Sequence, residues 1–154
     1  MEKTLKFGYV AFWGALASFL GNLYIPVMLM VLCNLIDYLT GLMAVSSRDE
    51  KLSSYRSMKG IAKKVCMWLL VVVGVILDEV AKYAADSIGL KPHFQFFVAC
   101  LVAIWIICSE LISILENMVD IGVTIPPFLM SLVKQVQKQT EEAAGGDKND
   151  QNNG

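Results

Sequence analysis

The stretch Asn34–Val45, NLIDYLTGLMAV, sets an aspartate inside a run that is otherwise apolar. From Val27 to Val45, Asp37 is the one acidic or basic residue, with no cation beside it. What a carboxylate does in such a place depends on the solvent around the chain, and composition identifies that solvent. Of 154 residues, 56% are apolar and 18% charged, with a mean hydropathy of +0.56. Soluble domains run at about 45–50% apolar and about 25% charged. The excess is gathered into blocks, Phe7 to Val45, Val65 to Leu77 and Phe94 to Leu115, while charge is packed into the joints and the C-terminal tail. A soluble bundle would instead alternate its faces. A bilayer span takes about 20 mostly apolar residues, so the blocks predict an integral membrane protein.

The first block is too long for one upright helix. Its 39 residues would reach roughly 58 Å against a hydrocarbon core of about 30 Å. Gly21, Asn22 and Pro26 mark the expected break. The predicted fold is therefore an all-α membrane protein of three to four transmembrane helices, over about 5–20, 24–45, 64–85 and 94–120, inside a membrane domain of residues 1–125. A C-terminal amphipathic helix over 126–139 and a disordered polar tail over 140–154 complete it. The first helix is marginal in length, and a crossing is the favoured reading because it leaves Lys3 and Lys6 in the cytoplasm. The same N-terminus has the look of a signal peptide, but Ala15-Leu16-Ala17 comes too early as a cleavage motif, since the apolar run continues through Leu20.

Between the second and third spans lies SSRDEKLSSYRSMKGIAKK, Ser46–Lys64. Arg48, Lys51, Arg56, Lys59, Lys63 and Lys64 against Asp49 and Glu50 give six minus two, or +4. A short basic loop stays in the cytoplasm, which places the C-terminus there too. After Pro126 and Pro127, Phe128, Leu129, Leu132, Val133 and Val136 are expected on the inner leaflet, with Lys134 and Lys138 toward the headgroups.

Polar residues within spans are costly and point to function by default. Asp37 shares a helix face with Asn34, Thr40 and Gly41. Roughly 16 Å from Arg48 along the axis, it is expected to be a neutral carboxyl, hydrogen-bonded between helices, in a structural role or one that turns toward water. In the fourth span Glu110, Ser113, Asn117 and Asp120 fall within an arc of about 80°, widened to about 120° by Ser109 and Glu116. That stripe reads either as an amphipathic helix surfacing at the headgroups or as a face toward other protomers or a pore. Asp78, Glu79, Lys82 and Asp86 have the spacing of a self-neutralising helix end. Small residues four apart, as in Gly14/Ser18 and Ala99/Ala103, suit close helix packing.

Other classes find little support. A net charge of −1 without a basic stripe argues against nucleic acid as a partner. The four cysteines, Cys33, Cys66, Cys100 and Cys108, lie in apolar blocks with no CxxC, so no disulfide framework, metal site or cofactor is expected. No Ser/His/Asp set or phosphate-cradling glycine loop is present, and an enzyme is not expected.

Three stretches in order, NLIDYLTGLMA, KLSSYRSMKGIAKKV and SELISILENMVDIGVTIPPFL, resemble the toxin-secretion/phage-lysis holin family, of the family 4 type, over roughly Tyr24 to Lys138. The matching positions are Asp37, Tyr38, Thr40 and Gly41; Lys59, Gly60, Ile61, Lys63 and Lys64; and Ser113, Ile114, Glu116 and Asn117. The resemblance implies a homo-oligomer in the bacterial membrane that opens lesions for an endolysin, or a toxin, with no direct binding to that cargo required. One departure is the tail, which from Lys134 carries three positive and four negative residues, whereas holin tails are often basic. A toxin-export pore without abrupt lysis, or a small selective channel or transporter, remains as an alternative, although no inverted repeat of the transporter kind is visible.

Overall fold

The computed structural model describes residues 2–47, 54–90 and 96–145. Five helices follow in order: α1 Glu2–Leu20, α2 Tyr24–Ser47, α3 Ser54–Ser87, α4 Phe97–Asp120 and α5 Pro127–Ala143. No strand occurs among the described residues.

The break in the first block falls at a single 3-10 turn, Gly21–Leu23. Gly21 takes φ +49 there, a left-handed conformation that glycine adopts without a Cβ penalty. Pro26 is third in α2, where a missing N–H costs nothing because the first turn has no intrahelical acceptors.

Three helices are long and apolar enough to cross a membrane by length and composition: Gly21–Ser47, Gly60–Ser87 and Phe97–Asp120. The first helix does not meet that criterion. Glu2, Lys3 and Lys6 crowd its opening turns, and only a short apolar length remains.

The basic segment is mostly not a loop. Helix α3 begins at Ser54 and runs 34 residues, roughly 51 Å, so Arg56, Lys59, Lys63 and Lys64 belong to its first three turns. Arg48 and Lys51 lie outside the described residues, as does the tail from 146. Helix α5 also runs past its expected end, so that Thr140 to Ala143 are helical.

Helix α4 lies between its neighbours and packs on α2, α3 and α5. The core along it is built of small side chains: Ala99 and Ala103 are fully buried, with Ala44 of α2 nearly so. Large apolar residues face outward, Leu35 and Leu39 on α2 and Leu69 and Ile76 on α3 among them. This is the arrangement of a helix bundle whose solvent is lipid, where close backbone packing replaces the hydrophobic drive between helices. The tightest approach is at Gly74, where an added Cβ would lie 2.8 Å from the Ala99 Cα and 3.0 Å from its N. Gly14 of α1 has no such close neighbour among the described residues; a Cβ there would meet nothing within 4 Å.

Asp78 does not serve a self-neutralising helix end. Its Oδ1 accepts from the Val98 N–H and its Oδ2 from the Ala99 N–H, both at 2.9 Å. An aspartate of α3 thus caps α4, whose own N-cap residue, Phe96, makes no side-chain capping bond. A carboxylate also suits the positive end of the helix dipole.

At the far end of α4 the chain reverses. The Val123 N–H bonds the Met118 carbonyl and the Gly122 N–H that of Val119, both at 2.9 Å, with Gly122 at φ +94. This Schellman ending, four residues of connection and Pro127 at the start of α5 send α5 back along α4. Helix α5, expected on the inner leaflet, is packed against α4. Phe128 and Leu132 remain exposed, while Thr140 is buried.

Candidate functional site

Asp37, Asn34 and Thr40 of α2, Lys64 of α3, and Glu110 and Asn117 of α4 converge on one point. Each reaches it through a regular seam. On α3 the positions Lys64, Met67, Val71, Gly74 and Asp78 recur at three- and four-residue steps, the spacing of one helix face. Helix α2 brings Met30, Cys33, Asp37, Thr40 and Ala44 to α4 in the same way.

Lys64 is the hub. Its Nζ lies 2.9 Å from Asp37 Oδ2, donates to Asn34 Oδ1 at 3.1 Å and pairs with Glu110 Oε2. An ammonium has three donors, and all three are used. Asn117 Nδ2 donates to Asp37 Oδ1 at 3.2 Å and to Thr40 Oγ1 at 3.3 Å. Thr40 returns its hydroxyl to the Ile36 carbonyl at 2.9 Å, and Asn34 Nδ2 bonds the Met30 carbonyl at 2.9 Å. Among the described residues no buried side-chain nitrogen or oxygen lacks a partner. Gly41 sits beside the cluster, where an added Cβ would lie 3.6 Å from Asn117 Nδ2.

Two sequence expectations change here. Lys64 is not part of a cytoplasmic basic loop; its side chain is 24% exposed and turned into the bundle. Asp37 is not held by neutral hydrogen-bond partners alone, because Lys64 of another helix reaches its Oδ2 at 2.9 Å. The seam through Lys64 was legible in the sequence, since it continues the spacing of Met67, Val71, Gly74 and Asp78. Which acid it would meet was not.

The polar stripe of α4 is divided among partners. Glu110 and Asn117 turn to α2 and α3. Ser109 instead accepts from Gln137 Nε2 of α5 at 2.9 Å, and the neighbouring Trp105 Nε1 donates to Glu141 Oε1 at 2.7 Å. Ser113 is half-buried, while Glu116 and Asp120 are exposed. Lys63 is exposed on α3.

Counting formal charges, one ammonium meets two carboxylates, so the cluster carries −1. Asp37 and Glu110 lie about 20 Å along α2 and α4 from their N-terminal ends, while Lys64 stands four residues, about 6 Å, inside the start of the Gly60–Ser87 span. Nothing in it resembles a nucleophile paired with a base, and no group of three or more potential metal ligands occurs among the described residues. All four cysteines are unpaired, with Cys33 and Cys108 buried. What the cluster does physically is tie three helices together. Between α3, α4 and the end of α5 there is also an apolar cavity of about 370 Å³, lined by Leu70, Leu77, Leu101, Trp105 and Thr140 among others.

Three apolar spans around a satisfied ionic cluster define a multi-pass helical membrane protein. The bacteriophage holin family model matches residues 14–138, and the chain belongs to that family. It is 34% identical over 133 residues to the uncharacterized protein Lmo0128 of Listeria monocytogenes, covering 86% of each chain. It is 31% identical over 136 residues to the uncharacterized protein CPE0383 of Clostridium perfringens, covering 88% of this chain and 92% of the other. A third relative, an uncharacterized 14.9 kDa protein in the nagH 3' region of Clostridium perfringens, is 29% identical over 88% of this chain and 94% of its own. No solved structure matches significantly.

Proposed function

We propose that this protein accumulates in the bacterial cytoplasmic membrane, assembles with copies of itself, and opens lesions through which a cell-wall-degrading enzyme leaves the cytoplasm. The observation that carries the reading is the Asp37–Lys64–Glu110 cluster inside three apolar spans of a holin-family chain. A charged cluster within apolar spans is costly to keep. Its use is to hold α2, α3 and α4 as one compact unit that harms nothing while copies accumulate. Two packings of the same helices, one closed and one assembled, make the protein a bistable element. In this reading the basic segment and the turn between α4 and α5 face the cytoplasm, following the positive-inside rule. The side of α4 that exposes Glu116 and Asp120 meets neighbouring copies.

The test is induction in bacteria that carry a cytoplasmic endolysin. Abrupt clearing of the culture with the enzyme in the medium is expected. Abundant protein in the membrane without enzyme release would overturn the reading, and release without clearing would assign slow export instead.

A further inference from the structure

The charged surface that α5 presents at membrane depth is unexplained by the cluster. Ser109 stands 12 residues beyond Phe97, about 18 Å along α4, which is half its length. Gln137 is bonded to Ser109 there, so α5 passes the middle of the span. Its neighbour Lys138 is 76% exposed, and pairs at 3.6 Å with Glu142, 56% exposed. Lys134, Gln135 and Gln139 are exposed on the same helix. Lipid cannot be the solvent on that side, because exposed charge in hydrocarbon is strongly disfavoured. Helix α5 is also not among those long and apolar enough to cross. Yet its inner side is well held, by Gln137 on Ser109, by Glu141 on Trp105 and by the burial of Thr140.

We propose that in the assembled protein α5 stays docked along α4 and its outer side, with Lys134, Lys138 and Glu142, is the wall that faces the water-filled opening. The inference rests on the lesion-forming reading for the existence of that opening, and it assigns the wall to a helix the sequence placed on the membrane surface. The occupant of this side is water, not lipid and not a second copy.

Two features must hold in the same molecules: α5 docked, and Lys138 wet. In membranes of bacterial lipid, the full chain with its four native cysteines replaced by alanine, and with Ser109→Cys, Gln137→Cys and Lys138→Cys, is treated with a short thiol-to-thiol bridging reagent. A charged, membrane-impermeant thiol reagent follows, with modified sites read by mass spectrometry. The 109–137 bridge is expected to form in assembled protein. In the bridged species position 138 is expected to react at least tenfold faster than Leu69→Cys on the lipid side of α3. Absence of the bridge overturns the proposal, since α5 then lies elsewhere. Reaction at 138 as slow as at Leu69→Cys overturns it in favour of lipid, and protection lost only when copies are separated overturns it in favour of a second copy.

A single exposed substitution provides a second readout. A nitroxide on Glu142→Cys is expected to quench the Trp105 share of the fluorescence when α5 is docked, and unquenched emission in assembled protein would overturn docking. Neither readout needs a macromolecule to pass. A docked, wet α5 in a protein that releases no enzyme would sink the lytic function and leave this assignment standing.

Discussion

Lys64 Nζ and Asp37 Oδ2, on different helices and 2.9 Å apart, form the ion pair around which the three spans close. The same ammonium holds Glu110, so one cation satisfies two acids. Removing either kind of partner has unequal consequences.

Lys64→Met leaves two carboxylates facing each other in a buried site. The expected loss is about 3–5 kcal/mol, the range for a buried pair broken from one side. Unfolding in detergent followed by circular dichroism measures it. Combining the change with Asp37→Asn and Glu110→Gln, which removes the stranded charges, is expected to restore most of the stability. A triple variant as unstable as Lys64→Met alone would contradict the pairing.

Asp37→Asn takes the formal charge of the cluster from −1 to zero and weakens its hold on Lys64, which still keeps Glu110. Membrane insertion and helix content are expected to be unchanged, with a stability change of about 1–2 kcal/mol, the scale of one polar contact between membrane helices. Under the proposed function, membrane failure comes earlier at matched expression. Unaltered timing would leave Asp37 a packing role only.

Gly74→Ala places a Cβ 2.8 Å from the Ala99 Cα. Overpacking of this kind costs about 1–3 kcal/mol, and helices α3 and α4 must move apart. Because the clash is with backbone atoms, Ala99→Gly is expected not to rescue it. Rescue, in thermal unfolding of the double variant, would show that the helices approach less closely than described.

Asp78→Ala removes the two bonds that cap α4. A loss of about 1–3 kcal/mol is expected, as for buried donors left unmade, with early amide hydrogen exchange at Val98 and Ala99. Exchange as slow as in the unaltered protein would mean that another group caps the helix.

The sequence by itself determined that this chain lives in lipid, because apolar blocks longer than a bilayer is thick admit few other solvents. It also marked where the first block breaks, around Gly21, Asn22 and Pro26, and where α5 begins, around Pro126 and Pro127, since positive φ and a missing N–H are local properties of single residues. Only the tertiary structure decided that Lys64, counted among loop cations, is the partner of Asp37. Helical spacing tells which residues share a face, whereas the face a helix meets depends on how its neighbours cross it. The same holds for the polar stripe of α4, shared among α2, α3 and α5, and for Asp78, whose partners are the amides of another helix rather than Lys82 one turn away. Helix α5 shows the limit most sharply. Its amphipathic pattern suits a membrane surface, but the turn at Gly122 and the bonds to Ser109 and Trp105 lay it along α4, and such long-range contacts leave no period in the sequence.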